Sequence, residues 1–152
     1  MKLDLINRCC VFYGFMNLKA NNFSTQITVE FEDVDSYRIV HHTKLIAYLE
    51  RARVRFFSSM GFDLSASNMV LVLYHLETQF KKPAFFQDEL SVAVFVKSFD
   101  SFRLVLAYKI FRQKDLIAKA TTGLCFVDPA TLVMVPAPGP YVDKLKQALV
   151  SV

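Results

Sequence analysis

Two carboxylates and two imidazoles, Asp33, Asp35, His41 and His42, lie close together immediately ahead of a long amphipathic segment. A carboxylate can attack an acyl carbon, or take a proton from the water that does so, and an imidazole can carry protons near neutral pH. The first N–H groups of a helix have no intrahelical acceptor and sit at the positive end of its dipole, so they can hold a developing oxyanion. The set therefore suits acyl-transfer chemistry and requires neither a metal nor an organic cofactor. A metal site is the weaker reading: adjacent histidines do not share a helix face, and no Cys or third ligand stands beside them.

The elements that must position these groups follow from periodicity. Residues 25–31 alternate, with Ile27, Val29 and Phe31 on one side and Gln26, Thr28 and Glu30 on the other, which predicts a half-buried strand. Residues 32–36 are rich in Asp and Ser and predict a turn. Over 43–58 the period changes: Leu45, Leu49, Ala52 and Phe56 mark one helix face, Ile46 and Phe57 widen it, and Gly61 is placed to end it.

The second half predicts strands at 69–80, 90–96, 102–112 and 116–127, with turns at 98–101 and 113–115, joined as an antiparallel meander. Asp128-Pro129-Ala130 breaks the last of them, 133–135 makes a short return, 136–140 is irregular, and 143–150 forms a terminal helix. One helix and so large a sheet must bury their apolar faces against each other. The expected class is α+β: a long central helix wrapped by an antiparallel sheet of about five strands.

The chain has 152 residues, 53% of them hydrophobic, which suits one domain with a substantial core and argues against disorder. Its formal net charge of +4 is too small an excess to identify a partner, and the basic residues are dispersed without a nucleic-acid recognition motif. Cys9, Cys10 and Cys125 have no metal-binding spacing; an odd number without a secretory context predicts free thiols and a cytoplasmic location. Residues 1–23 fit the rest poorly. They read as an N-terminal extension, with Met16 as an alternative start, and 24–152 as the domain. The apolar run at 9–16 is too short to span a bilayer and lacks a signal-peptide cleavage site.

Two blocks carry a family likeness. The first is Asp33-x-Asp35, a histidine seven residues after Asp35, and Tyr48-Leu49-Glu50-Arg51-Ala52-Arg53; the second is Phe80-Lys81-Lys82-Pro83-Ala84 followed by Asp88-Glu89-Leu90. In this order and separation they resemble the 4-hydroxybenzoyl-CoA thioesterase family, and within it the acyl-CoA thioesterases associated with the Tol–Pal locus. The likeness covers about 25–138. It implies the hotdog fold, a homodimer or homotetramer with sites at the subunit interface, and a thioester of coenzyme A or acyl carrier protein as substrate. Asp35 would be nucleophile or general base, and the N–H of His42 an oxyanion donor with its side chain in the same site.

The sequence departs from the family at Tyr37 and Arg38, where small residues and often glycines are usual, at Lys44-Leu45 in place of Asn-Tyr, and at Phe31 in place of a tyrosine. Tyr37 and Arg38 are expected at the substrate mouth. Lys81, Lys82 and Arg103 are solvated charges or partners of coenzyme A phosphates, and Phe56, Phe57 and Phe85 are core residues or acyl-pocket lining. Asp33 reads as a turn former, His41 and His75 as structural or surface groups, and Glu50 as the partner of a neighbouring arginine. Two other readings stay open: a hotdog module that binds an acyl thioester without cleaving it, and a 3-hydroxyacyl thioester dehydratase.

Overall fold

A computed structural model of the chain describes residues 23–64 and 70–149. The extension at 1–22 with Cys9 and Cys10, the start of the second strand at Met69 and the end of the last helix at Val150 lie outside the described residues. In chain order the elements are β1 (Phe23–Thr28), a 3-10 turn (Phe31–Asp33), α1 (His42–Ser59), β2 (Val70–Phe80), β3 (Glu89–Asp100), β4 (Arg103–Arg112), β5 (Asp115–Val127) and α2 (Gly139–Gln147).

Alternation builds the sheet. Leu90, Val92, Val94 and Val96 of β3 and Leu104, Leu106, Tyr108 and Ile110 of β4 are all buried, while the residues between them are less so. Leu45, Leu49, Ala52 and Phe56 of α1 are buried with them, so the helical stripe and the sheet face form one core. Burying each large aliphatic side chain contributes about 1.5–3 kcal/mol. Among the described residues this is the hotdog arrangement, five antiparallel strands and a long helix.

The strand order is β1-β3-β4-β5-β2. Only β3, β4 and β5 form the expected meander; β2 pairs with β5 at the far edge. The two ends of α1 meet opposite edges: His42 at its start faces Phe80 of β2, and Phe56 near its end packs on Phe23 of β1. The 18-residue helix, ~27 Å long, thus spans the ~19 Å between the outer strands in the direction of β1.

Three boundaries differ from expectation. The first strand ends at Thr28, and Phe31 is 77% exposed, not inward with Ile27 and Val29. A reciprocal cap, in which the Glu30 N–H donates to Asp33 Oδ2 at 3.1 Å, curls the chain into the 3-10 turn. β3 continues past Val96 to Asp100 through an irregularity between Val96 and Ser98, shortening the predicted turn. The final helix begins at Gly139, inside the stretch expected to be irregular, because Pro140 in its first turn has a φ already suited to a helix.

The helix end is as read from the sequence. Gly61 adopts φ +74°, its N–H donates to the Ser58 carbonyl, and Lys144 Nζ donates to the Met60 carbonyl at 2.6 Å. Cys125 is a buried free thiol. No helix among the described residues is long and apolar enough to cross a membrane.

Candidate active site

The acidic turn is a miniature hairpin. The His41 N–H donates to the Asp33 carbonyl at 2.9 Å, Val34 and Val40 form an antiparallel bridge, and the Asp35 N–H donates to the Ile39 carbonyl at 2.9 Å. The Arg38 N–H closes the tip on the Asp35 carbonyl at 2.9 Å. Asp35 Oδ1 accepts the Tyr37 N–H at 2.8 Å, an Asx turn, and among the described residues Oδ2 accepts no hydrogen bond. Asp35 therefore sits half-buried near the hairpin tip with one oxygen tethered and one free.

The hairpin's return strand runs directly into α1. His41 is the N-cap: its Nδ1 accepts the Thr43 N–H at 3.3 Å and lies 2.7 Å from Thr43 Oγ1. His42 is the first helical residue, so its own N–H has no intrahelical acceptor. Its exposed ring stacks on His41 at 4.3 Å and meets Phe80 edge-on at 6.4 Å. A carboxylate and an uncommitted helix N–H are thus joined by a hairpin only a few residues long.

Asp33 is the anchor of that hairpin. It is 2% exposed and accepts from the Tyr48 hydroxyl at 2.6 Å and from Lys44 Nζ at 3.0 Å, besides the Glu30 N–H. Burial alone would push its carboxyl up; the bonds from Tyr48, Lys44 and Glu30 outweigh burial and hold it below its ordinary value. Burial first, then the bond to Asp33 and that group's charge, push the Tyr48 phenol well above its usual range. The sequence reading of Asp33 as a turn former captured its backbone and missed its side chain. By its helical spacing Tyr48 reads as lying off the Leu45-Leu49-Ala52-Phe56 stripe, yet α1 buries it, and a buried phenol needs an acceptor.

The two sequence blocks meet here. Val40 N–H donates to the Ala84 carbonyl at 2.8 Å, and Ile39 bridges Phe85. Asp88 Oδ2 in turn accepts the Phe85 N–H at 2.8 Å and Arg112 Nη1 at 2.7 Å, fixing the 84–88 loop against the hairpin.

The remaining candidates are scattered. Arg38 is exposed with φ +64°, the left-handed conformation that glycine takes freely and other residues at a cost of roughly 1–2 kcal/mol. Tyr37, beside it, is 82% exposed. Lys81 and Lys82 follow the end of β2, and Lys82 Nζ is held by Asp115 at 2.6 Å. Arg103 opens β4 at the other end of the sheet, opposite Cys125, beside a hollow shared with Asp100, Phe102 and Met134. Lys81 and Lys82 are near the row of Ile110 and Ala118, so about 20 Å of strand separates them from Arg103. Phe56 and Phe57 are core residues, packed on Phe23 and Phe62; Phe85 is 42% exposed. Glu50 pairs with Arg53 at 3.8 Å, and His75 is exposed on β2.

A hotdog frame whose carboxylate-bearing turn runs into the start of its central helix defines a thioesterase-class protein. Residues 29–149 match the sequence profile of the Thioesterase-like superfamily, and the chain belongs to that family. It is 32% identical over 111 residues to a proposed esterase of Aquifex aeolicus, covering 71% of this chain and 87% of that one. To the acyl-CoA thioesterase YbgC of Haemophilus influenzae it is 25% identical over 112 residues, 71% of this chain and 82% of the relative. Its fold is similar to that of a 1,4-dihydroxy-2-naphthoyl-CoA thioesterase from Synechocystis, with a TM-score of 0.76 at 22% identity over 82% of this chain and 96% of the other.

Proposed function

We propose that the chain hydrolyses acyl-CoA thioesters, with Asp35 as the acting carboxylate and the His42 N–H as an oxyanion donor. The observation that carries this reading is the hairpin that ties Asp35 to the helix start while leaving Asp35 Oδ2 and the His42 N–H uncommitted. Asp35 either attacks the carbonyl, giving a mixed anhydride that water opens, or takes a proton from a water that attacks directly. In both routes the C–S bond breaks, the thiolate leaves and takes up a proton, and a carboxylic acid remains. Family and named relatives support the acyl-CoA substrate.

We further infer that the working unit is a dimer built on β2. This edge strand exposes Val72, Leu73, Tyr74, Leu76 and Phe80, each between 36% and 53% accessible, and its outer hydrogen-bonding groups have no strand partner among the described residues. An apolar, unpaired edge favours addition of another strand. Phe80 at its end touches His42, so a second copy on this edge would border the candidate site.

The test is thiol release from acyl-CoAs of differing chain length and aryl character, with Asp35→Ala and Asp35→Asn alongside. Loss of a general acid–base group lowers turnover by about 10²–10⁴-fold. Equal turnover in the wild type and both variants removes Asp35 as the acting group. No turnover on any thioester, together with measurable acyl-CoA binding, favours the non-hydrolysing binding module.

A further inference from the structure

The face of the sheet turned away from α1 carries an arrangement that the proposed reaction does not use. In the β4–β5 register Lys109 stands directly opposite Lys119, and both are exposed between buried neighbours. Like charges directly opposed across a strand pair are destabilising. Lys97 from β3 lines the same hollow, which has a volume of roughly 260 Å³, together with Glu77, Gln79 and Thr121. Among the described residues none of the three lysines has a carboxylate within ion-pair distance. Glu77, the one acid on the wall, is 3.5 Å from Gln79 Nε2.

We propose that this hollow is a binding site for a phosphate-bearing group carrying two or more negative charges. Three ammonium groups against one carboxylate leave an excess of positive charge in a concave, small-floored site, and Thr121 and Gln79 add neutral donors on its wall. A bound polyanion offsets the repulsion between the directly opposed Lys109 and Lys119. Lys81, Lys82 and Arg103, the sequence-based phosphate candidates, have no such convergence: one is held by Asp115 and the last lies at the opposite end of the sheet. Along β2, Gln79 on its wall is followed by Phe80, whose ring meets His42, and the two side chains leave opposite faces of the sheet. The phosphates are those of the substrate's carrier or of a free nucleotide. The first source rests on the thioesterase reading; the second does not.

The test uses inorganic pyrophosphate and adenosine 3′,5′-bisphosphate as probes, with calorimetric titration and Tm at low salt. The wild type is expected to bind both and to rise in Tm on binding, and binding is expected to weaken with added salt. Lys109→Gln/Lys119→Gln is expected to abolish the ligand-dependent rise while raising the Tm of the unliganded protein. Lys97→Gln alone is expected to weaken binding roughly tenfold. An equal Tm rise in wild type and double variant, or no binding by the wild type at low salt, overturns the proposal.

Kinetics with an acyl-CoA and with the phosphate-free N-acetylcysteamine thioester then separate the two sources. A higher KM for acyl-CoA alone in the double variant identifies the substrate's phosphates. Lost pyrophosphate binding with both KM values unchanged identifies a free nucleotide. Absence of any turnover by the wild type would end the thioesterase reading and leave the binding result standing.

Discussion

The Tyr48 hydroxyl donates to Asp33 Oδ2 at 2.6 Å in the interior of the protein, fastening the base of the Asp35 hairpin to the second turn of α1. Asp33 has three donors and no exposure to speak of, so removing one leaves a buried carboxylate short of a partner. Tyr48→Phe is expected to cost about 1–3 kcal/mol of stability, measured by urea unfolding. Because this clamp fixes the hairpin against the helix, Tyr48→Phe is also expected to lower kcat more than it raises KM. A variant as stable as the wild type would show that Lys44 and the Glu30 N–H suffice.

The same pair predicts two limbs in the pH dependence of stability. The folded Asp33 carboxyl lies below its unfolded value of about 3.9. Its contribution is therefore complete above about pH 4 and falls away as pH drops through the folded value, where the unfolded chain binds more protons. Tyr48 has the opposite sign: its folded phenol lies above the unfolded value of about 10, so its contribution is complete below about pH 10 and is lost as pH rises. Tyr48→Phe is expected to flatten the alkaline limb only in part, because burial also raises the Tyr108 phenol. Stability against pH, measured by denaturant midpoints from pH 2 to 11, tests both limbs; an acid limb absent from the wild type would contradict the Asp33 assignment.

Arg38→Gly relieves the left-handed backbone at φ +64°. The gain is expected to be at most ~1 kcal/mol, since glycine's extra freedom in the unfolded chain offsets part of it. The denaturation midpoint should rise. Turnover of bulky thioesters should rise too if Arg38 narrows the approach to Asp35, whereas unchanged kinetics would mean that the side chain stands clear of the substrate.

Leu73→Glu or Tyr74→Glu places charge on the exposed apolar edge of β2. Sedimentation at micromolar concentration is expected to show a dimer for the wild type and a monomer for these variants, with hydrolysis reduced in parallel because Phe80 and His42 would lose the neighbouring copy. A wild type that sediments as a monomer and still hydrolyses thioesters would exclude a site shared at this edge.

The sequence by itself determined the elements that periodicity can express. The helical stripe Leu45-Leu49-Ala52-Phe56 and the alternation of Ile27 and Val29 marked faces that are buried, because burial of apolar surface is what both patterns encode. Phe31 left the pattern where the chain curls into the 3-10 turn. It also located the turn and helix start holding Asp35 and His42, through their local chemistry. Tertiary structure decided what depends on residues far apart in the chain. It moved β2 to the edge beyond β5, a pairing of segments separated in sequence by the whole β3–β4 hairpin. It brought the 84–88 loop against the hairpin, and Lys97, Lys109 and Lys119 to one hollow from three strands. It turned Asp33 from a turn residue into the anchor of the candidate site, because whether a carboxylate is solvated or buried against a phenol is settled only when the helix packs over it.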